Sequence, residues 1–288
     1  MKIGFIGLGN LGVPIAENLV SNTKQLFVYN RTAHKAKPLI ERGAVLCASV
    51  KELSSACDIV FSIVSNDQAL KEITAGPEGI AANLKQGGIH VSISTVLPAT
   101  ANELAALHKE HGSEYIASPV MGRPEAARAG KLHYLVSGNE EAIEKVKPLL
   151  MQAGGIGVWP VGTKAELASV AKLCSNFLIA SAIESMAEGI QLAKKSGLDA
   201  EVWMSMLTQT LLNSPVYINY SKILMQEVFE PAAFSLKLGL KDMNLVMQQA
   251  ASVQAKMPFG AAIRQQLTTS MEKGFGEYDW TVVALELK

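Results

Sequence analysis

Two sets of residues have the types and spacing to do chemistry. The first is Gly7-Leu8-Gly9-Asn10-Leu11-Gly12, a G-x-G-x-x-G run placed between an apolar β-type run and a helix-type segment. In that context the pattern marks a dinucleotide site. Gly7 permits the tight turn, Gly9 lets backbone approach a pyrophosphate, and Gly12 lets the helix pack closely on the strand. Asn10 and Leu11 complete the loop, and the helix N-terminus offers unpaired N–H groups to the anion. About 20 residues on, an NAD-selective site carries Asp or Glu for the ribose hydroxyl. This chain has Asn30-Arg31-Thr32 instead. No carboxylate is there to repel a 2′-phosphate, and Arg31 can pair with one in bidentate fashion while Asn30 and Thr32 donate hydrogen bonds. NADP is expected over NAD, with NAD still possible. The second set is Lys172 and Asn176, four apart in a helix-type segment and so on one face, about a turn from each other. A lysine among Val170, Ala171, Leu173 and Phe177 is costly to bury and is expected to have a lowered pKa, which suits proton transfer near neutrality. The residues alone leave a second reading open, a lysine snorkelling to solvent from an apolar helix.

The elements around these residues change character along the chain. The first half alternates short β-type runs (Lys2–Ile6, Gln25–Tyr29, Ile59–Val64, Ile89–Ile93, Tyr115–Ala117, Leu132–Ser137) with helix-type segments such as Asn10–Ser21 and Ala33–Arg42. Such alternation predicts a Rossmann-type, doubly wound α/β sheet covered by helices. From about Thr163 strand runs nearly vanish. Ala165–Ser196 reads as one long helix, apolar almost all round and therefore buried. Further helices are expected over Ala200–Leu211, Val216–Met225, Leu236–Ser252 and Pro258–Lys273. The expected organisation is a dinucleotide-binding domain over 1–162 and an all-helical substrate and dimerisation domain over 163–288, joined through the long helix.

Composition narrows the function classes. The 288 residues are 49% hydrophobic and 18% charged, enough apolar surface for a large core. Lys+Arg and Asp+Glu both number 26, so bulk attraction to nucleic acid or to an anionic membrane is not expected. Cys47, Cys57 and Cys174 lack any short metal-like spacing and suggest buried thiols in a reducing compartment. His108, His111 and His133 show no metal-ligand pattern either, and no metal is expected. No uninterrupted apolar run approaches a membrane span, and the first residues do not read as a signal peptide. These features predict a cytoplasmic protein with a small-molecule substrate.

Several patches together resemble the β-hydroxyacid dehydrogenase family, which includes 3-hydroxyisobutyrate dehydrogenase, glyoxylate/succinic semialdehyde reductases and the N-terminal fold of 6-phosphogluconate dehydrogenase. They are Gly7–Gly12, Ser94-Thr95, Ser118-Pro119-Val120-Met121-Gly122, Lys172-Leu173-Cys174-Ser175-Asn176 and Lys241-Asp242. Their order and spacing cover essentially the whole chain. The resemblance implies that Lys172 protonates the carbonyl oxygen as hydride arrives and that Asn176 helps position the substrate. It puts Thr95 beside the nicotinamide and Lys241 on the cofactor. Val64-Ser65-Asn66 ends a strand at the same sheet edge and is expected to line the cofactor. The expected substrate residues are Ser94, Met121, Gly122 and Arg123. Here the chain departs from the family, whose loop commonly reads Pro-Val-Ser-Gly-Gly where this one reads Pro119-Val120-Met121-Gly122-Arg123. Methionine cannot donate a hydrogen bond to a carboxylate, so substrate identity is the open point. The expected activity interconverts a small 3-hydroxy acid or hydroxy compound and its aldehyde or 2-oxo acid with NADP(H). An imine reductase-like enzyme and a non-catalytic NADP-binding protein are the alternatives, and Lys172 speaks against both. The apolar second half and the resemblance predict a homodimer or homotetramer.

Overall fold

The computed structural model describes residues 1–23 and 25–287. Its strands are β1 (Ile3–Ile6), β2 (Leu26–Tyr29), β3 (Val45–Leu46), β4 (Ile59–Ser62), β5 (Ile89–Ser92), β6 (Glu114–Ala117), β7 (Val120–Met121), β8 (Leu132–Ser137) and β9 (Gly155–Gly162). Along β1 and β4 alternate side chains enter two separate clusters. Ile3, Phe5, Ile59 and Phe61 join one, while Ile6 and Val60 join the other. Side chains of period two buried on both faces are what a helix-covered parallel sheet requires. The order is β3-β2-β1-β4-β5-β6-β8-β7, with β9 on β8. β3 to β6 run parallel, whereas β8 is antiparallel to β6 and β7. The order reverses between β1 and β4, the place where sheets of this kind bind ligands at the carboxyl ends of their strands.

The helices are α1 (Gly12–Asn22), α2 (Lys37–Ile40), α3 (Val50–Ala56), α4 (Asp67–Thr74), α5 (Ile80–Asn83), α6 (Pro98–Glu110), α7 (Pro124–Arg128), α8 (Glu140–Gln152), α9 (Glu166–Lys195), α10 (Ala200–Gln209), α11 (Pro215–Gln226), α12 (Leu236–Ser252) and α13 (Pro258–Glu272). The expected helix over Ala33–Arg42 is a 3-10 turn, Ala33–Ala36, followed by the short α2. β3, β7 and β9 escaped the sequence reading. β9 holds three glycines and Pro160 in its eight residues, a composition that reads as loop but is tolerated on a strand at a sheet margin.

The chain divides into two units, Met1–Lys172 and Leu173–Lys288, with the division inside α9. Glu166 in its first turn and Lys194 and Lys195 in its last complement the helix dipole. α9 is long and apolar enough, by length and composition alone, to cross a membrane, with an 18-residue window of mean hydropathy 1.3. Core helices of water-soluble proteins pass the same test. In the second unit Trp280 packs edge-on against Tyr220 and Phe234, with ring centroids 6.0 and 4.9 Å away. A Cβ on Gly239 of α12 would sit 2.8 Å from the Trp280 ring.

Candidate active site

The glycine loop is built as its sequence requires. Gly7 has φ +99°, and a Cβ there would lie 2.0 Å from the Ile63 carbonyl oxygen. Its N–H donates to Tyr29 O at 3.0 Å, which ties the end of β1 to the end of β2. A Cβ on Gly12 would lie 2.0 Å from Gly7 O, whereas one on Gly9 would meet nothing within 4 Å. Leu11, at the start of α1, gives no side-chain cap, and the first turn holds no acidic residue. An open backbone position in front of uncapped helix N–H groups fits a pyrophosphate.

The Asn30 side chain is engaged within the fold. Its Oδ1 accepts from Leu8 N–H at 2.8 Å and its Nδ2 donates to Thr32 O at 2.9 Å. Its amide therefore fixes the glycine loop against its own loop. Arg31 and Thr32 are exposed beside it. Ser94, expected at the substrate, is buried, and its hydroxyl accepts from Val64 N–H at 2.8 Å. It clamps the β4 and β5 loops together. Asn66 caps α4 by accepting from Ala69 N–H at 2.8 Å, so the side chain is occupied, while Ser65 is exposed and Val64 and Thr95 are half-buried. The register Tyr29–Ile6–Ser62–Ser92 brings the loops after β1, β2, β4 and β5 to one sheet edge.

Beneath that edge lies a polar chain that the sequence reading did not foresee. Ser62 Oγ, His90 and His108 are linked at 2.8 and 3.0 Å, and His108 Nδ1 meets Ser113 Oγ at 2.8 Å. Both histidines are fully buried. Burial holds His90 well below its ordinary pKa and brings His108 down to about 4, with a like-charge contribution from His108 and His111 respectively. Burial also pushes the Cys47 and Cys57 thiols up to about 11 and about 12, which keeps them from acting as nucleophiles.

Lys172 is half-buried, and its Nζ stands 3.6 Å from the Sδ of Met121, the last residue of β7. A thioether is a weak acceptor. Gly122 is exposed, and Arg123 is half-buried where α7 begins. Ser137, the last residue of β8, sets the start of α9. Its hydroxyl donates to Ala165 O at 2.8 Å and accepts from Ala168 N–H at 2.9 Å, satisfying one of the orphan donors of a helix start. In the second unit Asn176 is buried and donates from Nδ2 to Asp242 Oδ2 at 2.5 Å. The other oxygen of Asp242 pairs with Lys241 Nζ at 2.7 Å. Asp242 thus holds both residues that the sequence singled out, a role visible only when α9 and α12 are brought together. Among the described residues no group of three or more His, Cys, Asp or Glu could hold a metal ion.

Comparison with known proteins follows this division. Residues 2–162 match the model of the NAD-binding domain of 6-phosphogluconate dehydrogenase, and residues 167–285 match that of the NAD-binding region of NADP-dependent 3-hydroxyisobutyrate dehydrogenase. The chain is 37% identical to the uncharacterised oxidoreductase YfjR of Bacillus subtilis, over 98% of each chain. It is 31% identical to glyoxylate/succinic semialdehyde reductase 2, chloroplastic, of Arabidopsis thaliana, over 100% of this chain and 80% of the relative. The solved structure of Psf3 in complex with NADP+ and 2-OPP superposes with a TM-score of 0.89 at 27% identity, covering 99% of this chain and 100% of that one. The chain belongs to the β-hydroxyacid dehydrogenase family and is an NAD(P)-dependent oxidoreductase acting on CH–OH groups.

Proposed function

We propose that this enzyme works with NADP(H) in preference to NAD(H) and interconverts a small 3-hydroxy acid or hydroxy compound and its aldehyde or 2-oxo acid. The first 162 residues serve the cofactor, and residues 163–288 serve the substrate and self-association. Support for the cofactor preference is Arg31, exposed where a carboxylate would otherwise read the ribose. The NADP+ in the Psf3 complex agrees with it. Gly7, Gly9, Asn10, Leu11 and Gly12 are assigned to the pyrophosphate. Arg31 and Thr32 are assigned to the 2′-phosphate, with Asn30 shaping their loop. Val64, Ser65, Asn66 and Thr95 line the nicotinamide end, and Lys241 is a further cofactor residue.

The bound nicotinamide supplies or accepts the hydride. Lys172 delivers a proton from Nζ to the carbonyl oxygen as negative charge builds there, and takes it back in the oxidation direction. The observation that supports this role is the position of the Lys172 ammonium beside Met121, where the expected substrate loop begins. Asn176, its Nδ2 engaged by Asp242, has its amide oxygen left to accept from a substrate hydroxyl. Asp242 is a positioning residue. Met121, Gly122 and Arg123 shape the substrate end, and Ser94 holds the backbone of Val64. We place the enzyme in the cytoplasm as a soluble homodimer or homotetramer. The test is a panel of aldehydes, 2-oxo acids and cyclic imines, each offered with NADPH and with NADH and followed by nicotinamide absorbance. Turnover of an aldehyde or 2-oxo acid, faster with NADPH, is the expected result. Turnover confined to imines would overturn the reading.

A further inference from the structure

Glu184 of α9 is 4% exposed, and its Oε1 has no hydrogen-bond partner. Around it lies a cleft of about 310 Å³ lined by Glu184 and Glu188 of α9 and by Phe259, Ala262, Ile263, Gln265 and Gln266 of α13. On its inner side Glu184 borders a water-sized void of about 10 Å³ that Trp280 also lines. The indole Nε1 of Trp280 is likewise buried without a partner. None of this serves the nicotinamide chemistry assigned above.

A buried carboxylate without a partner must be neutral or must meet a cation. Burial, with Glu188 one turn away, pushes the Glu184 carboxyl up to about 7, so at neutral pH it is poised between the two. No lysine, arginine or histidine among the described residues forms an ion pair with Glu184. The facing polar groups from α13 are the neutral amides Gln265 and Gln266, and from the C-terminal 3-10 helix Trp280–Leu287 only Trp280 and Val283 line the void. A cation that meets the ionised form would therefore come from outside. The walls decide its class. Two carboxylates without a third ligating His, Cys, Asp or Glu are a poor cage for a metal ion. Phe259, Ala262 and Ile263 instead offer an apolar wall suited to an alkyl stem. The volume is at the small end of ligand pockets.

We propose that the cleft between α9 and α13 binds a short primary alkylammonium ion. Its head group is held by Glu184 and Glu188, with the glutamine amide oxygens accepting the remaining N–H bonds, and its stem lies along Phe259, Ala262 and Ile263. The probe is n-butylamine in phosphate buffer, titrated calorimetrically into the full-length protein, with n-butanol and magnesium chloride as controls. The expected result is saturable binding of one n-butylammonium per chain and none of n-butanol. A carboxyl with a pKa of about 7 is mostly protonated at pH 6 and mostly ionised at pH 8, so affinity should rise about tenfold between them. Glu184→Gln keeps the shape of the side chain; it should weaken binding at least tenfold and abolish the pH dependence. Glu188→Gln should weaken binding and keep that dependence. A cooperative thermal melt and a native far-ultraviolet circular dichroism spectrum of each variant verify the fold. No saturable heat, equal affinity for Glu184→Gln and wild type, or tighter binding of magnesium than of the amine would each overturn the proposal. So would amine binding that appears only on dilution to monomers, because the pocket would then hold a lysine of a second copy.

Discussion

At the scale of single residues, the cofactor preference rests on Arg31. A charge-assisted contact to a phosphate contributes about 1.5–3 kcal/mol, so Arg31→Ala should raise the Michaelis constant for NADPH roughly ten- to a hundredfold and leave that for NADH nearly unchanged. Equal losses with both cofactors would mean that Arg31 does not read the phosphate. The chemistry rests on Lys172. Hydride transfer leaves an alkoxide in need of a proton, and a positioned acid contributes about 10²–10⁴ in rate. Lys172→Ala should lower turnover by that range and remove the lysine's limb from the pH profile. Its NADPH dissociation constant, read by nicotinamide fluorescence, should stay within about twofold of wild type, because the glycine loop is built independently. A variant that keeps most of its activity would move the search to another donor, Arg123 first. Local residues of this kind are legible in a sequence because type and spacing within one loop or one helical turn carry their meaning. The hydrogen bonds that Asn30 and Ser94 make within the chain are illegible for the opposite reason. Their partners, Leu8 N–H and Val64 N–H, lie 22 and 30 residues away, and no local pattern reports such a contact.

At the scale of elements, two devices fix the frame under the site. Ser137 joins the end of β8 to the first turn of α9 through two hydrogen bonds, and α9 carries Lys172. Ser137→Ala leaves Ala168 N–H buried without its acceptor, which costs about 1–3 kcal/mol. Chemical denaturation should show that loss with an unchanged slope against denaturant, together with a fall in turnover as the helix start loosens. Unchanged stability would show that the helix start is held by packing alone. The second device is the Ser62–His90–His108–Ser113 chain. His108 is neutral in the fold with a pKa of about 4 and ordinary, near 6.5, when unfolded. The unfolded chain then binds the proton first. The stability from keeping His108 neutral is complete above about pH 6.5 and is lost as pH falls through about 4, on the order of 3 kcal/mol in all. Stability measured from pH 7 to pH 4 should fall accordingly, and His108→Gln should flatten the profile. A wild-type profile that is level over this range would count against a neutral buried pair. The alternation of strands and helices is legible in the sequence because burial on both faces leaves unbroken apolar runs such as Ile59–Phe61. β9, whose glycines and proline carry no strand signal, is not legible in this way, and neither is the histidine chain, because His90 and His108 sit on different elements.

At the scale of the whole molecule, the helical unit leaves apolar surface on α9 that a second copy would cover. Leu178 and Leu192 are 66% and 71% exposed. They are fourteen residues apart, close to four helical turns, and so project from one face. Exposed Ser185 and Cys174 lie on that same stripe. Elsewhere in the unit Val202, Met206 and Leu211 are also exposed. Singly such residues need no partner, but a row along one helix face is how a self-association seam is written. A stable interface buries on the order of 1,200–2,000 Å² in total, and a charge at its centre leaves a desolvated, unpaired group there. Light scattering at micromolar concentration should give a dimer mass or a multiple of it. Leu178→Glu and Leu192→Glu together should shift the protein to the monomer mass while the far-ultraviolet circular dichroism stays native, since both side chains already face solvent within the chain. A wild-type monomer would refute self-association. A double variant that remains dimeric with native spectra would keep the dimer and move its seam from α9 to the surface of Val202, Met206 and Leu211.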